Sequence, residues 1–434
     1  MQLISDADSD RRSSGKVAGI ASALAAASAQ LIAAGGAQAE WDVNTSLMFY
    51  QEADGRVQDL SFKSLASTTR DNDDEITVGL QLDTLTGASP TGALARPEAQ
   101  SFTRPSGRGE YTIAAGEHPQ DNTFNDDRYD LSINWLRPYS QDLKLGLGAS
   151  VSKEYDYLHL GLSAQAVREL NNKNTTLRLA IGLAQDENKP VGGVPRPLSE
   201  MQTTDTVLDR TSSDDKTIVD TVLGVTQVVS RRAIVQINYA LSIANGYLND
   251  PYKFLSVIDP VSGEADLSTS ADRLAYVFEQ RPDSRTGHNL YTEWRYRLDN
   301  SIANLSYRYH TDDWGIDSHT LEGRYRFLLD GGRYIEPHLR YYNQSEADFY
   351  APFLANTAPL TEDASADYRL AAFTGTTIGA KYGRPVGKNG ELGFRLEFYQ
   401  TRGDDPDVPE SLVAVNSYPD LSSVFGQVSY RFSW

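Results

Sequence analysis

The sequence, 434 residues long, contains no cysteine. That excludes a disulfide framework, Cys-ligated zinc, iron–sulfur clusters and c-type haem attachment. It also suits an oxidising compartment, where a stray thiol is a liability. Cations are in deficit: 40 Lys and Arg stand against 59 Asp and Glu, for a formal net charge of −19. Phosphate neutralisation needs clustered Lys and Arg, so no nucleic-acid partner is expected. Beyond residue 40 no stretch approaches the run of about 18 apolar residues that a membrane-spanning helix requires. The familiar catalytic signatures are missing as well. There is no P-loop, H-E-x-x-H or EF-hand loop, and GASPT at Gly87 fails the G-x-S-x-G pattern at its last position. The expectation is a chain that is not an enzyme, with no cofactor and no metal centre.

The first 39 residues read as a processing segment. Arg11, Arg12 and Lys16 precede the small-residue apolar run VAGIASALAAASAQLIAAGG, which leads into Ala37-Gln38-Ala39, an A-x-A cleavage pattern. The residues after Arg11-Arg12, SSGK, fit twin-arginine export badly, so general secretion is expected, with cleavage after Ala39 and a mature chain from Glu40.

What the sequence has in quantity is tyrosine, 24 residues against 3 Met and 5 Trp, a balance that suits strand surfaces and wet interfaces. It also has one pattern, repeated. In LKLGLGASVS, Leu143, Leu145, Leu147, Ala149 and Val151 alternate with Lys144, Gly146, Gly148, Ser150 and Ser152. LHLGLSAQA, TLRLAIGLAQD, LYTEWRYRL, TLEGRYRF and LGFRLEFYQ do the same. Side chains of a strand alternate with period two, so each segment has one apolar and one polar or charged face. The segments are longer than ordinary strands, and sustained alternation over many long segments marks a transmembrane barrel, apolar toward lipid and polar toward the lumen.

We place strands near 41–52, 57–69, 75–86, 126–137, 142–154, 157–169, 175–186, 216–229, 232–245, 287–298, 302–312, 317–328, 333–346, 366–382, 391–401 and 422–434. With a periplasmic N-terminus, all five long connections (87–125, 187–215, 246–286, 347–365 and 402–421) fall on the extracellular side, and short turns such as RDNDD, NNKN and DGGR fall opposite. The expected fold is an all-β transmembrane antiparallel barrel of sixteen strands in residues 40–434, both termini periplasmic, in the bacterial outer membrane. Its surroundings are then outer-membrane lipid and lipopolysaccharide. The final strand, with Tyr430, Phe432 and Trp434 on one face, resembles the C-terminal signal read by the barrel-assembly machinery, which more often ends in Phe.

Several polar stretches are too particular to follow from barrel physics. LDTLTGASP, EYDY, NKNTTL, GYLNDPYK, RPDSR, YRYHTDDWGIDSHT, LRYYNQSEADFY and SADYRL occur in that order. Together they resemble a family of bacterial outer-membrane proteins known as a domain of unknown function. The resemblance covers nearly the whole mature chain. It implies location and fold, supplies no catalytic residues, and hints at a periplasmic or lipoprotein partner, of a redox kind.

Three residue sets are candidates for function. The first is a lumen band of inward positions: Glu293, Arg295, Arg297, Arg308, Glu322, Arg324, Arg326, Glu336, Arg340, Arg395 and Glu397. Rings of Arg select anions; alternatively, Arg and Glu on neighbouring strands pair and brace the wall. The second is a rim cluster, His310, Asp312, Asp313, Asp317 and His319, which would activate water or bind a metal, or simply form a turn. The third is the mouth loop with Tyr247, Asp250, Tyr252 and Lys253, suited to binding sugars or flavin-like rings or to folding into the lumen as a constriction. Nearby Tyr341, Tyr342 and Tyr350 fit an interfacial aromatic girdle. The expected function is a channel or transporter for small, anionic solutes. The alternative is a plugged barrel that scaffolds a partner, with a rim hydrolase third.

Overall fold

The computed structural model describes residues 40–87, 89–104, 109–121, 125–200, 210–264, 276–356, 362–403, 407–413 and 418–433. The leader and Trp434 lie outside the described residues. Sixteen strands form one closed ring. They are β1 Trp41–Glu52, β2 Val57–Thr69, β3 Glu75–Gly87, β4 Asn125–Pro138, β5 Leu143–Lys153, β6 Tyr157–Leu170, β7 Thr175–Asn188 and β8 Asp214–Ser230. The second half comprises β9 Ala233–Gly246, β10 Ser284–Arg297, β11 Ser301–Asp312, β12 Asp317–Leu328, β13 Tyr334–Gln344, β14 Phe373–Val386, β15 Gly390–Gly403 and β16 Ser422–Ser433. Every strand is antiparallel to its sequence neighbours, and β1 closes the ring on β16 from Asp42↔Ser433 to Glu52↔Ser423.

Closure removes the sheet edges, and alternation decides the two faces. Leu162, Ile378 and Phe398 stand on the outer face and are 66%, 59% and 56% exposed, as lipid-facing groups must be. The inner face carries the polar partners. Seven short turns, the start of β1 and the end of β16 sit at one end of the ring, the turn end. The other, loop end holds 88–124, 189–213, 247–283, 345–372 and 404–421, with three tight turns between them.

One expected strand needs correction. The segment 366–382 is extended only from Phe373; before it, Tyr368–Leu370 form a 3-10 turn in which the Asp367 side chain accepts from the Arg369 amide. ADYRLAA lacks the period of the strand behind it, and its polar groups are drawn into the loops.

Those loops fold together. Phe254–Ile258 pairs antiparallel with Tyr276–Phe278 and parallel with Leu354–Ala355. Around it Ala93, Phe102, Ile113, Phe254 and Phe278 form one buried cluster, and Leu255, Val257, Val277, Leu354, Ala364 and Ala366 a second. Full burial of the Phe, Leu, Ile and Val side chains among them is worth about 1.5–3 kcal/mol each. The molecule therefore keeps its packed core in its loops, while the apolar side chains of its strands face outward. This core spans the mouth. Lys253, from the loop after β9, donates to Ser89 Oγ at 2.7 Å and to the Pro90 carbonyl, just beyond β3. The strands β3 and β9 stand six places apart in a ring of sixteen, so the loops meet across the opening.

Candidate functional site

Register places the predicted lumen band on the inner face, and ion pairing organises it. Arg295 meets Glu293 at 3.0 Å, Arg324 meets Glu322 at 2.8 Å, Arg326 meets Glu336 at 2.6 Å and Arg395 meets Glu397 at 3.4 Å. His338, absent from the predicted band, lies between two strands' acids: Nδ1 is 2.9 Å from Glu397 and Nε2 3.4 Å from Glu322. Arg308 and Arg340 lie over the rings of Tyr291 and Tyr342, at 5.8 and 5.5 Å. Arg297 sits at the turn end of β10. Cations outnumber acids on this side of the lumen.

The opposite wall was missed in the sequence. On β2–β8 the inward positions include Asp59, Asp83, Asp126, Asp130, Asp186 and Asp220, with fewer cations among them. Arg128 pairs with Asp83 at 2.6 Å and Lys216 approaches Asp186 at 3.5 Å. An acidic half-wall thus faces an arginine-rich half-wall. Extending the face count to strands such as DLSINWLR, with Asp130 on the polar face, would have found it.

The rim cluster is divided by the same parity. Asp312 and His310 face inward: Asp312 accepts from Arg285 Nη2 at 2.5 Å, from His310 Nε2 at 3.0 Å and from the amides of Trp314 and Ile316 at 3.0 Å each. Asp317 and His319 face outward, where Tyr309 Oη donates to Asp317 at 2.9 Å and Tyr307 Oη lies 2.7 Å from His319 Nδ1. Asp313 accepts from the Thr286 amide at 2.8 Å. Strand register explains the split, since Thr311, not Asp312, is the cross-strand partner of Asp317. The five residues do not form one site. Three other carboxylates, Asp126, Glu154 and Asp156, have oxygens within 4.8 Å of one another, with Asp126 accepting from the Tyr155 amide and Asp156 from the Tyr252 hydroxyl.

The mouth loop is where the unusual stretches converge. Arg369 reaches Asp250 at 2.7 Å and holds Asp367 through Nε at 2.9 Å; Arg281 bridges Asp367 at 2.9 Å and Glu279 at 2.7 Å. Ser365 Oγ donates to Glu279 at 2.5 Å. Burial alone would raise the Asp367 carboxyl, but Lys253, Arg369 and Arg281 outweigh it and hold it well below the usual carboxylate range. Burial lowers the Lys253 ammonium, against the pull of Asp367 and Asp250. Burial raises Glu279 despite Arg281 beside it. Thus GASP, GYLNDPYK, RPDSR and SADYRL, scattered in the chain, build one charged knot. Tyr247 is buried beside it, and Tyr252 ties it to the turn before β6. Two cavities flank the knot. One of about 660 Å³ is lined by Ser89, Arg104, Glu154, Tyr252, Lys253 and Arg369; the other, about 650 Å³, by Arg196, Asp214, Tyr247, Asn249, Arg281 and Asp283.

A closed sixteen-strand ring, apolar outside and charged inside, defines an outer-membrane β-barrel, because only closed barrels and helices satisfy every backbone group in lipid. The chain belongs to the family described as "Protein of unknown function (DUF3570)", which matches residues 16–432. No curated protein matches the sequence. Among solved structures, the outer membrane protein opdK from Pseudomonas aeruginosa aligns at 12% identity over 92% of this chain and 99% of its own, with a TM-score of 0.38. OccK5 (OpdH) from the same organism aligns at 8% identity over 92% and 98%, at 0.41. CdiB from Acinetobacter baumannii aligns at 8% identity over 91% and 60%, at 0.42. At TM-scores this low the likenesses assign nothing to this chain, and the barrel stands on its own strands.

Proposed function

We propose that the barrel is a passage for small polar solutes, with its loop end outward, its termini in the periplasm and the folded cap limiting what enters. The observation that carries this reading is the facing pair of half-walls, Asp83, Asp130 and Asp220 on one side and Arg308, Arg324 and Arg340 on the other. Both walls pair part of their charge locally, as Arg324 does with Glu322 and Asp83 with Arg128, but the surplus is of opposite sign on the two sides, and that surplus sets a field across the lumen that orients a dipolar solute. The field favours solutes carrying both signs over the simple anions expected from the Arg band alone. Sixteen strands enclose an aqueous lumen, and the cavities beside the cap supply polar approaches to it.

The test is swelling of liposomes loaded with the refolded barrel. Small zwitterions should enter faster than neutral sugars of equal mass, and large oligosaccharides should be excluded. Equal entry of all solutes, or none, contradicts the reading. A second reading rests on the cap core across the mouth: a barrel held shut, scaffolding a periplasmic or lipoprotein partner. Absence of swelling from folded protein would favour it. Lipid, lipopolysaccharide and the assembly machinery are partners that either reading requires.

A further inference from the structure

Three adjacent strands bring together side chains whose combined chemistry neither reading of the barrel uses. Ser150 on β5, His159 on β6 and Asp186 on β7 all face the lumen, near the loop end. His159 Nδ1 lies 2.7 Å from Asp186 Oδ1, and its Nε2 lies 3.3 Å from Ser150 Oγ. Asp186 is 1% exposed, and its other oxygen accepts from the Tyr157 hydroxyl and lies 3.5 Å from the Lys216 ammonium. A buried carboxylate on Nδ1 fixes the ring tautomer: the proton sits on Nδ1, and Nε2 is left as an acceptor for the serine hydroxyl. Ser150 and His159 are both partly open to the lumen.

Two further observations separate this set from wall bracing. Gly161 is the cross-strand partner of Ser150, and a Cβ there would stand 2.4 Å from Ser150 Oγ and 3.0 Å from His159 Nε2. The missing side chain leaves room for the serine to approach the ring. His338 provides the contrast, because it has carboxylates at both nitrogens and so serves as a brace. His159 instead has an acid on one nitrogen and a hydroxyl on the other.

We propose that Ser150, His159 and Asp186 form a nucleophile–base–acid triad in the lumen wall, able to hydrolyse small carboxylic esters that enter the barrel. Ser150 Oγ attacks the ester carbonyl while its proton passes to His159 Nε2. That proton then goes to the departing alkoxide, which leaves as the alcohol. Water attacks the acyl-Ser150 ester, gives its proton to His159, and the carboxylic acid leaves as the proton returns to Ser150 Oγ. Asp186 accepts from Nδ1 throughout and orients the ring. The strand amides are committed to the barrel ladder, so turnover is expected to be slow, and covalent capture is the more direct readout.

The test treats the full-length refolded protein with a fluorophosphonate probe and maps adducts by peptide mass spectrometry. Ser150 should be labelled, and Ser152, two residues along on the same face, should not. H159Q and D186N, each verified as folded by heat-modifiable migration, should slow labelling by about a hundredfold, the usual worth of a positioned base. Absence of an adduct on folded wild-type protein overturns the triad without recourse to any variant. Equal labelling of Ser150 and Ser152, or indifference to H159Q, overturns it too. The inference does not depend on passage of solutes, since a small probe reaching the lumen in detergent suffices.

Discussion

Asp367 is buried at 1% exposure among three cations, and the cap depends on its staying ionised. Its folded value lies below its unfolded one of about 3.9. A carboxylate so depressed contributes stability that is present above the unfolded value and is lost as pH falls toward the folded one. Glu279, raised by burial, works the other way, because its ionisation above its unfolded value costs the folded cap. The arginine-paired Asp367 carries the larger share of contacts, so the cap should loosen below about pH 4 while the strands stay closed. Hydrogen exchange of Leu255 and Val277 against pH checks this; protection that persists to pH 2 would contradict it. D367N should destabilise the cap by about 1.5–3 kcal/mol, since it removes the carboxylate that Arg281 and Arg369 share and leaves each with one acidic partner, Glu279 and Asp250. Arg281 with Glu279 and Arg369 with Asp367 pair two residues apart, but the pairing between loops was not legible in the sequence. RPDSR and SADYRL stood out as peculiar, but the partners are separated by more than eighty positions, as in Arg281 and Asp367. No local rule joins them.

The strands were the most legible part, because period-two alternation over long segments is a one-dimensional signal of a two-faced wall. All sixteen were placed, and they deviate mainly at the loop end, where 366–372 joins the cap and β10 starts at Ser284 rather than residue 287. Where parity was not carried through a turn, the reading failed. His310 and His319 look adjacent in YHTDDWGIDSHT, yet the hairpin puts them on opposite faces of the wall. The triad was missed for a related reason: Ser150, His159 and Asp186 lie on three strands whose register only the structure fixes. The outer face gives a direct check on the barrel. Leu162 points outward near the middle of β6, so Leu162→Arg should cost about 2–4 kcal/mol. Urea refolding into lipid vesicles measures it, and a change below about 1 kcal/mol, the interfacial value, would place this position outside the hydrocarbon.

For the whole molecule, the composition argued against a nucleic-acid partner, no helix among the described residues is long and apolar enough to cross a membrane, and the connection lengths gave the ring its two ends. What composition concealed is that the charge is divided between the two half-walls. A net of −19 describes the chain, while the lumen sees an acidic side and an arginine side. The cap was hidden as well, since the two clusters of its core draw on three separated loops, 88–124, 247–283 and 345–372, which no sequence pattern joins. The central claim is that solutes pass between these walls, and single-channel conductance of the refolded barrel under a salt gradient tests it most directly. Discrete steps with a reversal potential near zero are expected. Replacing Arg308, Arg324 and Arg340 by Ala should turn the pore toward cations, and replacing Asp83, Asp130 and Asp220 should turn it toward anions. Silence from folded, heat-modifiable protein, or steps whose selectivity ignores both sets of changes, would contradict the account.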